Sequence, residues 1–325
     1  MTTASGAILR LFREQDGFVS GETISRELRV SRTAIWKQIN GLRKLGYVIE
    51  AVPSRGYYLK SAPDVLTVAE IAAHLNSAII GRHIVCLAET ASTNSDAFRL
   101  AEQGADEGTV VLADSQSNGK GRMGRVWSSP AGVNLYCSVI LRPGVMPWEA
   151  PQLTFLSAVA VARAIERFSG LRPEIKWPND VLINGNKVAG LLNEMSAETD
   201  GVNFVILGIG VNLNMSAEQF PADVRHPATS LLVEAGRTFG RVGFAAVMLN
   251  ELDLLYGDFI GNGFAPVREE WQRRCNAHGR ELEVSDVGPE IVRGMFAGID
   301  DSGALLVQGL DGTINRILSG DVRVL

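Results

Sequence analysis

Gly119-Lys120-Gly121-Arg122-Met123-Gly124-Arg125 is the stretch on which the reading of this chain turns. Glycines and cations interleave along it, and Trp127 follows. Glycine lets a backbone adopt φ > 0 and come close to a ligand. Successive N–H groups can then form a concave anion site. Arg adds a two-pronged fork suited to phosphate. The loop therefore suits a ligand with clustered negative charge. Its spacing is not that of a Walker loop, because G-x-x-x-x-G-K-[ST] is absent. Taken alone, such a loop is equally well a solvated surface turn, so the flanking sequence has to decide.

Outward from the loop, residues 109–113 read as a short apolar strand that enters it, and residues 135–141 as a strand just beyond it. Residues 153–168 form a long helix of good helix formers. Residues 187–195 and 203–212 follow as strands. Strands mixed with helices in this order predict a mixed sheet backed by helices, an α+β domain. Four constellations within it can carry chemistry, and each also has an ordinary structural explanation. Ser92-Thr93-Asn94 offers small hydroxyl and amide groups, or simply a helix N-cap. Lys176-Trp177-Pro178-Asn179-Asp180 presents Lys, Asn and Asp together, or is a plain turn. Lys187 follows the turn Asn184-Gly185-Asn186, where a lysine is usually solvated. Gly208 and Gly210 alternate in a strand, where glycine signals close packing against that face.

The N-terminal segment reads as three short helices and a hairpin. Ile8, Leu11 and Phe12 share one face of the first. Ile24 and Leu28 point inward from the second. Ser31 caps the third, whose Ile35, Ile39 and Leu42 form one apolar stripe. Residues 47–49 and 57–59 are strands joined by Pro53-Ser54-Arg55-Gly56. That order is a winged helix, with the second and third helices spaced as a DNA-reading helix-turn-helix. Arg32, Thr33, Lys37 and Gln38 are placed near bases or phosphates, and Arg55 at the hairpin tip near backbone phosphate. Net charge supports this reading. Residues 1–62 hold ten cations against five acids, a balance of +5, which leaves −10 for the remainder of a chain whose net charge is −5. Such asymmetry points the N-terminal part toward a polyanion.

From about Cys275 onward short strands dominate, separated by the turns Asp300-Asp301-Ser302-Gly303 and Asp311-Gly312. Three domains are expected: 1–62, 65–272 and 275–325. With 325 residues the chain is long enough for them. No apolar run approaches the ~20 residues that span a bilayer, and no signal peptide is read at the N-terminus. Cys86, Cys137 and Cys275 show no metal or redox spacing, which suits a reducing cytoplasm. No Cys or Ser sits in a recognisable nucleophile motif.

Together these residues match a family. The chain resembles the bifunctional biotin–protein ligases that also repress biotin synthesis, the BirA type. The family loop G-R-G-R-x-G-R is here G-K-G-R-M-G-R. The likeness continues through Ser92-Thr93-Asn94, Lys176-Trp177-Pro178-Asn179-Asp180, Lys187-Val188-Ala189-Gly190 and Gly208-Ile209-Gly210-Val211-Asn212, in the family's order, and covers essentially the whole chain. Lys120 departs from the usual Arg, keeping the charge and losing the fork. The resemblance implies a C-terminal SH3-like β-barrel. It also implies a two-step reaction: biotin and MgATP give biotinyl-5′-AMP, and a lysine of biotin carboxyl carrier protein then takes the biotin. By the same resemblance Arg122 and Lys187 hold the biotin carboxylate and the phosphoryl group. Lys120, Gly121, Arg122 and Arg125 form a flap over the adenylate, with Lys120 and Gly121 also facing biotin. Ser92, Thr93, Asn94 and Gln116 hydrogen-bond the ureido ring, which lies against Gly208 and Gly210. Trp127 offers a face to adenine. Asn179 and Asp180 approach ATP or its Mg²⁺, and Lys176, Asn212 and Asp321 belong with the nucleotide. The family also implies binding to operator DNA and a homodimer formed on adenylate binding. Rival readings are a biotin-sensing transcription factor without ligase activity, a lipoate ligase, and a ligase whose winged helix recognises no operator.

Overall fold

The computed structural model describes residues 4–15, 17–221, 227–285 and 291–325. Contacts divide the chain into two compact units, Met1–His74 and Leu75–Leu325.

The first unit begins with helices α1 (Ala4–Glu14), α2 (Gly21–Leu28) and α3 (Arg32–Lys44). Ser20 and Ser31 cap α2 and α3 by accepting from the amides of Thr23 and Ala34. Strands β1 (Val48–Val52) and β2 (Gly56–Ser61) pair antiparallel, and Val19 bridges to Tyr57 as a short third strand. Ile8, Phe12, Ile24, Ile35, Ile39 and Ile49 close one core among these elements. The winged helix read from the sequence is therefore present.

A further helix, α4 (Val68–Ala72), lies beyond the expected break at residues 61–64, yet contacts place it in the first unit. The cause is Glu70, which is buried and pairs with Arg13 of α1 while Tyr47 donates to it at 2.6 Å. Burial and the neighbouring carboxylate push the Tyr47 phenol well above its usual range. Ala69 packs on the core of this unit as well and Ile71 is fully buried, but a helix of five residues is too short to show an apolar period.

The second unit is built on a seven-stranded sheet. Its elements are β3 (Ile84–Thr90), α5 (Thr93–Glu102), β4 (Val110–Gln116), β5 (Leu135–Leu141), α6 (Gln152–Ser169), β6 (Glu174–Lys176), β7 (Asp180–Ile183), β8 (Asn186–Glu198) and β9 (Gly201–Val211). The order across the sheet is β3-β4-β5-β9-β8-β7-β6. Only β3 and β4 run parallel, so the sheet is mixed as expected. α5 packs Ala97 and Ala101 on Val111, Ile140 and Ile206. α6, rich in buried Ala, Val and Leu, backs β8 and β9. Helices α7 (Leu231–Ala235), α8 (Arg241–Asn262) and α9 (Ala265–Arg274) follow, with α8 against α6.

The chain then forms β10 (Glu281–Ser285), β11 (Val292–Ile299), β12 (Leu305–Gln308), β13 (Ile314–Ile317) and β14 (Asp321–Val324). They make an all-antiparallel sheet of order β13-β12-β11-β10-β14. This sheet is tied to the larger one where the Trp177 indole donates to the Gly303 carbonyl at 3.2 Å. Gln152 and Arg268 add bonds to Asp301, and Gln272 accepts from the Ile299 amide at 3.2 Å. Among the described residues no helix is long and apolar enough to cross a membrane.

Removing one partner of a buried ion pair strands the other charge. Glu70→Ala is therefore expected to destabilise the first unit by about 3 kcal/mol. Denaturant unfolding of the full chain, followed by hydrogen exchange at α1 and α4, reads the effect. Protection unchanged in both helices would mean that Glu70 does not tie α4 down.

Candidate functional site

A cleft of about 670 Å³ opens beside β8 and β9, lined by every residue that the resemblance gave to biotin or nucleotide. One part of it is a hydrogen-bonding pocket. Ser138 on β5 donates to Asn94 Oδ1 at 2.6 Å and lies 2.8 Å from Thr93 Oγ1. Gln116 Oε1 accepts from the Thr93 amide and hydroxyl at 2.9 and 3.1 Å, and its Nε2 donates to Ser129 at 2.8 Å. Ser92 sits at the N-cap of α5, yet its side chain makes no capping bond, so capping does not explain it. Its hydroxyl is buried against the cleft.

The glycines of β9 border the cleft. A Cβ at Gly208 would stand 2.2 Å from Asn94 Oδ1, and one at Gly210 would stand 2.7 Å from the Trp127 indole. Both glycines thus let a side chain of the pocket wall pack onto the strand. Trp127 also presses on Gly190, and its Nε1–H is buried without a partner.

The cationic loop is a closed ribbon. The Trp127 amide donates to Gly119 at 2.9 Å, Gly121 to Arg125 at 2.7 Å, and Arg125 to Arg122 at 3.2 Å. Its tip is a type I′ turn, with Met123 at φ 56° and Gly124 at φ 73°. Met123, unremarkable in sequence, thus holds a conformation that costs most side chains. The ribbon uses the N–H groups of Gly121, Arg125 and Trp127 for its own closure. Side chains carry the positive charge.

Each of those cations has an anchor. Arg125 donates twice to Asp321 on β14, at 3.3 and 2.5 Å. Arg122 donates to Asn179 at 3.3 Å, and Asn179 donates to the Leu191 carbonyl at 2.6 Å. Burial pushes Arg122 below its usual range, and the carboxylates of Asp321 and Asp180 pull it back up. Lys187 Nζ lies 2.6 Å from Asp180 Oδ1, an ion pair without hydrogen-bond alignment, and 5.4 Å from the centre of the Trp127 ring. Lys120 Nζ lies 3.8 Å from Glu194. Lys176, at the end of β6, lines the same cleft.

Asn212 reaches the cleft wall. One hydrogen of its amide goes to the Thr229 carbonyl at 3.1 Å, and its oxygen accepts from Asn134 at 3.3 Å. It thus braces the segment after β9 and keeps its second amide hydrogen. Four participants were not read from the sequence: Ser138, Ser129, Gly190 and Glu194. Ser138 had a signal, a hydroxyl inside an otherwise apolar strand. Glu194 had none, since an acid in an anion site runs against the charge argument. The cysteines take no part as thiolates: burial pushes Cys86 up to about 11 and Cys275 up to about 12.

In the first unit Arg32, Thr33 and Lys37 are exposed on α3, beside an exposed Trp36. Gln38 is turned aside, accepting from Ser5 of α1 at 2.6 Å. The α1 contact occupies its side-chain oxygen. Arg55 stands at the hairpin tip with its guanidinium 4.1 Å from the Phe18 ring centre.

Comparison with known proteins agrees with this geometry. Residues 86–212 match the Biotin/lipoate A/B protein ligase family, residues 6–58 an HTH domain, and residues 277–325 the Biotin protein ligase C terminal domain. The chain is 41% identical to the bifunctional ligase/repressor BirA of Bacillus subtilis, over 98% of this chain and 97% of that one. It is 31% identical to the protein of the same name from Escherichia coli, over 94% and 92%. The solved biotin protein ligase of Aquifex aeolicus in complex with biotin and ATP superposes with a TM-score of 0.65 at 28% identity. It covers 75% of this chain and all of that one. The fold and the cleft define a ligase of the biotin/lipoate class joined to a helix-turn-helix. Within that class, the chain belongs to the BirA family of bifunctional ligase/repressors.

Gly208→Ala is expected to push Asn94 out of its place and weaken biotin binding about tenfold or more, by the loss of one well-made polar contact. Titration calorimetry with biotin measures it. Wild-type affinity would show that Asn94 does not shape the pocket.

Proposed function

We propose that this chain is an ATP-dependent biotin–protein ligase that also binds operator DNA as a repressor of biotin synthesis. The observation that carries the enzymatic half is the convergence of Lys120, Arg122, Arg125 and Lys187 on one cleft beside a polar pocket. Two anions repel each other on approach, and fixed cations offset that repulsion in the transition state. In the first step a biotin carboxylate oxygen attacks the α-phosphorus of MgATP, and the bond to pyrophosphate breaks. Mg²⁺ arrives with the nucleotide as part of the substrate. Lys187 holds the carboxylate and the phosphoryl oxygens, having exchanged Asp180 for them. Arg122, fixed by Asn179, neutralises the developing charge.

The ureido group, one acceptor and two donors in a plane, fits the pocket of Ser92, Thr93, Asn94 and Gln116. Trp127 supplies the apolar wall near adenine, and Lys176, Asn179 and Asp180 flank the phosphates. The ribbon, latched by Arg125 to Asp321, covers the mixed anhydride and excludes water. In the second step an amine nitrogen of the carrier lysine attacks the acyl carbon, the bond to AMP breaks, and the nitrogen loses a proton. The work is done in the cytoplasm, where buried thiols stay reduced. Adenylate binding promotes a homodimer that engages the operator through Arg32, Thr33, Lys37 and Arg55. Relatives named as biotin ligases favour biotin over lipoate as the acid.

Purified chain with MgATP and a biotin carboxyl carrier domain is expected to label one lysine with biotin and none with lipoate. Lys187→Ala should slow adenylate formation about a hundredfold or more, with the melting temperature held. A wild-type rate would take Lys187 out of the reaction. Duplex DNA from the host's biotin-synthesis promoter tests the other half. Arg32→Ala and Lys37→Ala should each reduce the salt dependence of binding by about one counterion. An unaltered slope would remove α3 from the interface.

A further inference from the structure

Glu194 is an acid in a cleft assembled for anions. Its charge opposes both proposed substrates, so its place there needs a positive reason. It stands on β8 opposite Ile206, two residues beyond Leu192, which faces Gly208 across the strand pair. Its Oε2 accepts from Asn94 Nδ2 at 2.8 Å, and Nδ2 also donates to the Leu192 carbonyl at 3.2 Å. Asn94 Oδ1 meanwhile accepts from Ser138. Both amide hydrogens thus meet acceptors and the amide oxygen meets a hydroxyl. Rotating the amide by half a turn would set its oxygen against a carboxylate and a carbonyl. Glu194 therefore dictates which way Asn94 points inside the pocket. Its other oxygen lies 3.8 Å from Lys120 Nζ, on the cationic ribbon. Lys120 is a point charge on a flexible stem, without the fork of an arginine. A carboxylate within reach limits where that stem goes.

We infer that Glu194 is a positioning residue that links the two halves of the site: one oxygen orients Asn94 in the polar pocket, and the other holds Lys120 and with it the ribbon. The inference rests on the ligase reading above. The two functions differ in strength. The bond to Asn94 is a hydrogen bond to a charged group, whose loss is worth about tenfold or more in affinity. The pair with Lys120 is partly exposed, so its loss is worth about threefold.

The test uses the full-length chain with biotin, MgATP and the carrier domain. Glu194→Ala should raise the KM for biotin about tenfold, with kcat and the KM for ATP nearly unchanged. Glu194→Gln keeps an acceptor for Asn94 and should restore the biotin KM. It should still speed the loss of bound biotinyl-AMP about threefold, and this increment should vanish in a Lys120→Ala background. A role confined to folding would move the melting temperature and would not separate the two variants. A wild-type biotin KM in Glu194→Ala, or a Glu194→Gln variant no better than alanine, would overturn the inference. So would an increment in adenylate loss that persists without Lys120. Wild-type protein that fails to label the carrier would instead sink the ligase reading, so the two failures are told apart.

Discussion

Holding several positive charges inside a half-buried cleft is the constraint on which the rest of this structure depends. Cations placed close together repel, and burial removes the water that would screen them. The protein answers with an oxygen for each: Asp321 for Arg125, Asn179 for Arg122, Asp180 for Lys187 and Glu194 for Lys120. These oxygens come from β14, from the β6–β7 turn, from β7 and from β8. The ribbon is thereby pinned to several elements that are distant in sequence, and the C-terminal sheet becomes part of the site through Asp321. The small sheet is docked by the Trp177 indole bond together with bonds from Gln152, Arg268 and Gln272.

The same constraint sets how the cleft floor is made. A pocket that selects a polar ring needs side chains held in one orientation, and orientation in turn needs contact. Asn94 and Trp127 are held by being pressed onto backbone, which only glycine at 208, 210 and 190 permits. Asn94 is then closed by Ser138, Leu192 and Glu194, so no rotamer freedom remains to be lost when a ligand arrives. Lys187 is held differently. Its contact to Asp180 is close but misaligned, an ion pair without a hydrogen bond.

Much of this was legible in the sequence. The apolar stripe of α3 and its Ser31 cap gave the winged helix, because period and capping are local properties. Strand β5 was legible at its observed bounds, since a fully buried strand is a nearly continuous apolar run, broken here only by Ser138. The cleft residues were found because the motifs sit in order along the chain. What stayed hidden was pairing across distance. Glu194 and Asn94 are a hundred positions apart, and nothing local in either marks the other. Gly208 and Gly210 signalled close packing correctly, but the sequence could not say that the packed groups were Asn94 and Trp127. The bracing of Asn212 was hidden for the same reason, since its partners Thr229 and Asn134 come from two separate loops. The ribbon was hidden because an alternation of glycine and cation fits a closed loop with a type I′ turn as well as a concave anion site.

The two units use positive charge in opposite ways, and the difference follows from their ligands. On α3 the cations Arg32 and Lys37 are exposed, spread along a surface and left to water. Exposed charge suits a polyanion, whose binding is driven by release of its own counterions and asks less of any single cation than a reacting centre does. In the cleft the cations are partly buried and each is held to an oxygen, because a reacting carboxylate and phosphate must meet at one point. Moving the arrangement of one unit into the other would serve neither. Paired, buried cations on α3 would have no charge to offer a long phosphate backbone. Solvated lysines in the cleft would leave water beside a mixed anhydride. The charge imbalance between residues 1–62 and the remainder is therefore the outward sign of two separate electrostatic tasks carried by one chain.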